Sequence, residues 1–341
     1  MASAVVLAGW FILSASATTL GQYRIDPDSI SVSGFSSGGF MAAQLGVAYS
    51  SIFKPGFGVF AGGPYDCARD QPNSTCMFNN VPSITTPTEN MVKWSGDKID
   101  DVANLKERKV YIQTGALDRV IGPNIVGKLN EQLARFTDPR KTIYIVTEDA
   151  GHTFPTDLDS PGNIPCQDSE SPYISNCGFD GAGEVLKWLY GDLKPRTETL
   201  TGDIVPFEQT GEYGGDGMSK TAYLYVPERC KELTCRLHVV LHGCTQTYDI
   251  IGDKFVNNTG YNQWADTNDI VLLYPQTTVD NTLRPIWDGK VHSNSLACWD
   301  WIGYYGEDID QKGGVQIAAI INQIKRISRP TTNSESTHRE L

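Results

Sequence analysis

Gly34-Phe35-Ser36-Ser37-Gly38 sets a serine midway between two glycines. A serine hydroxyl is a poor nucleophile until a base takes its proton and an acid orients that base, so the pattern means chemistry only if a histidine and a carboxylate serve it. The bare pattern is weak in a chain with 33 glycines, and its alternative is a Ser/Gly-rich turn with no chemistry. Five histidines are available. His152 stands in Gly151-His152-Thr153-Phe154-Pro155 and Asp118 in Gly115-Ala116-Leu117-Asp118, giving the order Ser36, Asp118, His152. Asp97, Asp149 and Asp157 are the competing acids. His238 reads as a hydrogen-bonded core residue, and His292 and His338 fall in a loop and the tail. His242 precedes Gly243-Cys244, either a plain strand-end turn or an anion-stabilising loop. In the second reading His242 is structural, and a backbone N–H near Cys244 pairs with that of Ser37 to receive the oxyanion of acyl transfer.

Such residues work only if strands and helices hold them. Residues 29–33 read as a strand and 40–48 as a small-residue helix, so Ser36 sits on the tight turn between them, where glycines at 34 and 38 avoid crowding. Residues 109–113 and 142–146 read as strands, and Asp118 and His152 follow their carboxyl ends. The spacing predicts helices over 124–136 and 181–190. A second half begins near Gly202, with strands over 223–226, 237–241 and 270–274, a helix over 260–268 and another over 313–326. In the last, Val315, Ala318, Ala319, Ile320 and Ile324 offer one buried face. Strands alternating with helices predict an α/β protein with a mostly parallel sheet. With no internal repeat and no Pro/Thr/Ser-rich linker, residues 18–328 read as one domain and 329–341 as a flexible polar tail.

Composition narrows the partners. Lys plus Arg is 28 against Asp plus Glu at 40, so a net charge of −12 argues against nucleic acid. No His-Glu-x-x-His, Cys-x-x-Cys or phosphate-binding Gly loop with Lys occurs, so neither metal nor organic cofactor is expected. Residues 1–17 carry no charge, run apolar from 4 to 13 and end Ser14-Ala15-Ser16-Ala17, which predicts a signal peptide cut after Ala17 and a secreted, extracellular protein with no membrane span. In that compartment eight cysteines can pair, although they permit on the order of a hundred connectivities. Asn73-Ser74-Thr75 and Asn257-Asn258-Thr259 are glycan acceptors or chance matches. Trp287, Trp299, Trp301, Tyr304 and Tyr305 crowd one stretch, as an adsorbing patch or as core.

Serine, acid and histidine in this order, each after a strand, point to an α/β-hydrolase fold with helices on both faces of the sheet. The oxyanion strand ordinarily precedes the nucleophile, whereas His242-Gly243-Cys244 lies far downstream of Ser36. Moving residues 200–328 in front of residue 22 restores the ordinary order, so a circularly permuted single domain is expected.

The motifs Ser31-Val32-Ser33-Gly34-Phe35-Ser36-Ser37-Gly38-Gly39-Phe40-Met41-Ala42-Ala43-Gln44-Leu45, Phe60-Ala61-Gly62-Gly63-Pro64-Tyr65, Leu241-His242-Gly243-Cys244 and Cys298-Trp299-Asp300-Trp301 give a chain that resembles the fungal extracellular poly(3-hydroxybutyrate) depolymerases. The resemblance spans nearly the whole mature chain and includes the permutation. It implies Ser36, Asp118 and His152 as the catalytic triad, Ser37 and Cys244 as oxyanion donors, and Trp301 as a contact to the bound hydroxybutyrate unit. It also implies disulfides Cys67–Cys76, Cys166–Cys177, Cys230–Cys235 and Cys244–Cys298. The expected function is a secreted serine esterase, monomeric, acting on the polyester or its oligomers through an acyl-enzyme. A feruloyl or acetylxylan-type carboxylesterase is the alternative, and a non-catalytic binder on a hydrolase scaffold is disfavoured by the complete triad. Departures from the family pattern are Ala116-Leu117 before Asp118 and the charged Glu307, Asp308 and Asp310.

Overall fold

A computed structural model describes residues 17–329. The expected signal peptide and tail lie outside these residues apart from Ala17 and Arg329. Among the described residues no helix is long and apolar enough to cross a membrane.

The first half of the chain runs β1 (Ile25–Phe35), α1 (Ser37–Ala48), β2 (Gly56–Phe60), α2 (Thr85–Trp94), β3 (Lys109–Gly115), α3 (Pro123–Leu133) and β4 (Thr142–Thr147). Three short strands, β5 (Phe154–Thr156), β6 (Ile164–Pro165) and β7 (Ile174–Asn176), precede α4 (Gly181–Tyr190). The second half contributes β8 (Asp203–Glu208), β9 (Thr221–Val226), β10 (Cys235–Leu241), α5 (Tyr248–Ile251), α6 (Lys254–Asn258), α7 (Tyr261–Thr267) and β11 (Ile270–Tyr274). A hairpin of β12 (Asp280–Pro285) and β13 (Val291–Asn294) and then α8 (Val315–Ile327) follow.

Eight strands form the main sheet in the order β4-β3-β2-β1-β10-β11-β9-β8, with β9 alone running against the rest. The first strand of the described residues thus lies in the middle of the sheet, as permutation requires. Tyr23 N–H donates to Ile327 O at 2.8 Å, so the segment entering β1 meets the end of α8.

Every residue of β1 from Ser29 onward is buried, as expected for a parallel strand covered on both faces. Val32 packs with Met41, Leu45, Leu129 and Ile320 on the side of α1, α3 and α8. Phe35 joins Val185, Leu186, Tyr261 and Ala265 on the side of α4 and α7. On that second side His238 of β10 lies between Ser31 and Ser33, at 2.6 and 2.8 Å, and those hydroxyls reach Tyr190 and Tyr261. Burial pushes its pKa down to about 3, so it is a neutral core residue.

Some boundaries differ from expectation. The helix over 124–136 stops at Leu133, whose carbonyl accepts the N–H groups of Phe136 and Thr137 in a closing turn, and Asp138 then caps a new turn at Pro139. The last helix starts at Val315, because Gly314 has the extended backbone of an N-cap, with φ −57° and ψ 129°. Strands β2 and β8, helices α2, α5 and α6, and the small sheets were not anticipated. The four disulfides are those the resemblance implied.

Candidate active site

Ser36 is the single residue between β1 and α1, with φ 56° and ψ −121°. A side chain rarely adopts that left-handed backbone, and here tight packing holds it. Ser36 N–H donates to Phe60 O at 2.9 Å. A Cβ on Gly34 would stand 2.1 Å from Gly38 O, and one on Gly38 would stand 2.4 Å from the carbonyl oxygens of Leu241 and His242. The glycines therefore allow the turn to close and to rest against the end of β10.

His152 Nε2 lies 2.9 Å from Ser36 Oγ, and its Nδ1 lies 2.8 Å from Asp118 Oδ2. All three side chains are buried. Asp118 Oδ1 accepts the N–H groups of Val120 and Ile121 at 2.8 and 2.9 Å. Burial alone would raise the Asp118 pKa, but the His152 charge, its hydrogen bond and the two amides outweigh it and hold the carboxyl below its ordinary value. An ionised Asp118 accepts a hydrogen bond from Nδ1–H and so keeps the proton on Nδ1, which leaves Nε2 free to accept from Ser36.

Neighbouring loops brace these side chains. Phe78 and Asn79, just past Cys67–Cys76, donate their N–H groups to Val120 O and Ile121 O, both at 2.8 Å. On the histidine side, Gly151 N–H reaches Cys166 O and His152 N–H reaches Ser169 Oγ, both at 2.8 Å. Cys166–Cys177 closes that loop.

Ser37 N–H is the first of α1, where helix donors have no intrahelical acceptor. Cys244 follows Gly243, whose N–H is taken by Gln246 Oε1 at 2.6 Å, and precedes Thr245, whose N–H goes to Leu296 O at 2.7 Å. Among the described residues no acceptor is found for Cys244 N–H. His242 is pushed down to about 4 by burial and stays neutral. It accepts Thr277 N–H at Nε2, 3.2 Å, and donates from Nδ1 to Gly243 O, 2.8 Å, so it is scaffolding for this loop. Cys244–Cys298 ties the loop to the segment that carries Trp301, and Ser37 Oγ accepts Trp299 N–H at 3.3 Å.

A cleft of about 190 Å³ opens over Ser36 and His152, walled by Phe40, Met77, Val120, Ile121, Leu296 and Trp301. Trp301 stacks on Phe40 with ring centroids 4.4 Å apart. Its loop wraps around Asp300, whose carboxylate accepts the N–H groups of Ile302, Gly303, Tyr304 and Tyr305. The aromatic stretch is largely core: Trp299 is fully buried, and Trp287 lies under the Arg69 guanidinium at 3.9 Å. Glu307 and Asp310 share that anchor, since Arg69 donates to Glu307 O at 2.9 Å and to Asp310 Oδ1 at 3.1 Å, and it also bonds Asp66 at 2.6 Å. Burial, with Asp66 beside it, pushes the Asp310 carboxyl well above its usual range.

The competing acids do not reach the site: Asp157 pairs with Arg196, while Asp97 and Asp149 lie in turns. Asn73 is half-buried at a short 3-10 turn, and the second sequon falls at a helix end where Thr259 is buried and bonded to Phe255 O. The sequence reading gave no role to Gln246, Asp300, Met77 or Asn79. Only Asp300 carried a signal, an aspartate followed by a glycine-containing turn.

No protein-family model matches the chain. Over 315 residues it is 55% identical to the polyhydroxybutyrate depolymerase of Talaromyces funiculosus, covering 92% of this chain and 93% of that one. It is 41% identical over 326 residues to the poly(3-hydroxybutyrate) depolymerase of Delftia acidovorans, covering 93% of this chain and 63% of that one. Two solved structures superpose with a TM-score of 0.90 at 55% identity, covering 91% of this chain and 99% of theirs. One is the PHB depolymerase of Penicillium funiculosum, the other a serine-to-alanine PHB depolymerase complexed with an R3HB trimer.

Proposed function

Because the chain belongs to the polyhydroxybutyrate depolymerase family, it is a serine-type esterase that hydrolyses polyhydroxybutyrate, and we propose that Ser36, His152 and Asp118 carry its reaction. The observation that carries the assignment is the unbroken chain from Ser36 Oγ to His152 at 2.9 Å and from His152 to Asp118 at 2.8 Å, at the floor of an apolar cleft.

Ser36 Oγ attacks the ester carbonyl carbon as His152 Nε2 takes its proton. The carbonyl oxygen becomes an oxyanion facing the N–H groups of Ser37 and Cys244, each such donor contributing about 3 kcal/mol in comparable sites. The C–O bond to the leaving chain breaks, and the proton on Nε2 passes to its hydroxyl oxygen. A water then attacks the acyl-Ser36 ester, gives its proton to the same nitrogen and releases the carboxylic acid, and Ser36 recovers its proton. Asp118 keeps Nδ1 protonated throughout and stabilises the imidazolium. Trp301 and its apolar neighbours suit an uncharged aliphatic ester, and Trp301 is assigned to the bound hydroxybutyrate unit.

Residues 18–328 act as one catalytic domain, secreted and monomeric, in a compartment where four disulfides persist. The test is Ser36→Ala. The variant should keep the native unfolding midpoint and circular dichroism, bind a 3-hydroxybutyrate trimer and fail to clear a polyhydroxybutyrate film, with kcat on soluble esters reduced by about four orders of magnitude or more. Native-like clearing would overturn the triad. Faster native turnover of feruloyl or acetyl sugar esters than of hydroxybutyrate oligomers would favour the alternative carboxylesterase.

A further inference from the structure

Gln246 is fully buried beside the site yet touches neither the cleft nor the triad. Its carboxamide makes three backbone hydrogen bonds. Oε1 accepts Gly243 N–H at 2.6 Å, and Nε2 donates to Pro172 O at 2.8 Å and Tyr173 O at 3.2 Å. The first partner immediately precedes Cys244. The other two belong to the segment before β7, where Tyr173 O also accepts Phe154 N–H and the Tyr173 ring stands 6.1 Å from the His152 ring. One side chain therefore joins the loop bearing the Cys244 N–H to the wall behind His152.

The space around Gly243 makes this junction stiff. A Cβ built there would lie 2.9 Å from Gln246 Oε1 and 3.0 Å from Ser36 Cβ, so the glycine is held between the glutamine and the nucleophile. Gly243 O, in the next peptide, accepts His242 Nδ1–H, so the 243–244 peptide has a hold of its own while Gln246 holds the 242–243 peptide before it. If the Gln246 bond is lost, the 242–243 peptide can rotate about its ends and shift Gly243 Cα, the pivot of the 243–244 peptide that carries Cys244 N–H, leaving only the His242 bond to Gly243 O to hold its aim. An oxyanion donor acts only when aimed at the position the charged oxygen will occupy, so a small rotation weakens transition-state binding and leaves ground-state binding nearly intact.

We propose that Gln246 is a positioning residue that aims Cys244 N–H at the oxyanion and couples this aim to the wall behind His152; the proposal rests on Cys244 and Ser36 having the roles given above. It is tested with Gln246→Met, which keeps the volume and removes all three bonds, and Gln246→Glu. Next to two carbonyl oxygens the introduced carboxyl stays protonated, accepting from Gly243 and donating one O–H. Rates on p-nitrophenyl butyrate are normalised to active sites by burst titration, and affinity is measured for butylboronic acid, a tetrahedral mimic. The methionine variant should lose about 10- to 100-fold in kcat with KM within about twofold, and lose the same factor in boronate affinity. The glutamate variant should recover most of both. Native-like kcat in Gln246→Met, a loss confined to KM, a kcat loss that boronate affinity does not follow, or equal losses in the two variants would each overturn the proposal. Should the methionine variant not fold, Gln246→Ala is put to the same measurements with the same reading. Ser36→Ala separates the premises: if it stays active the triad fails, and if it is inert while Gln246→Met is native-like only the role of Gln246 fails.

Discussion

Replacing Asp118 by asparagine changes one atom, and the hydrogen bonds around it determine the result. Asp118 Oδ1 accepts two backbone N–H groups, from Val120 and Ile121, whereas Oδ2 accepts one proton from His152. An asparagine has a single acceptor oxygen. Turning its NH2 toward Val120 and Ile121 would leave those buried donors unpaired, at about 1–3 kcal/mol each, so the amide oxygen takes the Asp118 Oδ1 position. The NH2 then faces His152 Nδ1, which must accept, and the ring proton moves to Nε2. Nε2 now points an N–H at Ser36 Oγ and cannot take its proton. The expected loss in kcat is about 10⁴-fold, or about 5.5 kcal/mol of barrier, with little change in KM. Initial rates on p-nitrophenyl butyrate measure it, and a variant retaining more than about one part in a hundred of native kcat would refute the tautomer argument. A second readout is stability. The Asp118 pKa is lowered on folding, so it contributes stability above the unfolded carboxyl pKa of about 4 that is lost as pH falls through the folded value. Urea midpoints should therefore fall more between pH 7 and pH 3 for the native protein than for Asp118→Asn.

Two further outcomes follow from the loops around the cleft. Arg69→Met should lower stability by about 3–5 kcal/mol, because it leaves Asp66 and Asp310 buried without their cation. The Asp310 pKa is raised on folding, so its favourable contribution is present at low pH and is lost as pH rises; guanidinium midpoints should show a larger cost at pH 8 than at pH 5. Reducing Cys244–Cys298 should abolish esterase activity before tryptophan fluorescence reports unfolding, since the bond joins the Cys244 loop to the Trp301 loop; full activity in a folded protein with both cysteines replaced by serine would count against this.

The sequence made the setting of the proposed triad legible because each residue follows a strand whose β-branched run is plain: Ser36 after β1, Asp118 after β3, His152 after β4. β2 was hidden because Gly56 and Gly58 stand in five residues, and glycine argues against a strand when read locally. The sheet demands them: a Cβ on Gly56 would strike Lys109 O at 1.8 Å and one on Gly58 would strike Val185 of α4 at 2.4 Å. α2 was hidden by Pro87 near its start and by its weak apolar repeat. Whether the aromatic run lies at the surface or in the core depends on Arg69, remote in sequence, whose guanidinium covers Trp287. Gln246 belongs to no pattern, and two of its three partners lie more than seventy residues away, at |i−j| of 73 and 74.

Between α4 and β8 the chain passes from the half that holds Ser36, Asp118 and His152 to the half that holds Cys244 and Trp301. On the ribosome, β1 gains β2 as a neighbour early, yet its other edge waits until β10 has been made. Pairings so distant in sequence form slowly, and an open strand edge is a template for aggregation. The vulnerable edge of the nascent protein is therefore its central strand, not a margin of the finished sheet. A polypeptide interrupted before β10 would contain Ser36, Asp118 and His152 but lack Cys244 and Trp301, so the complete cleft forms only once both halves have folded together.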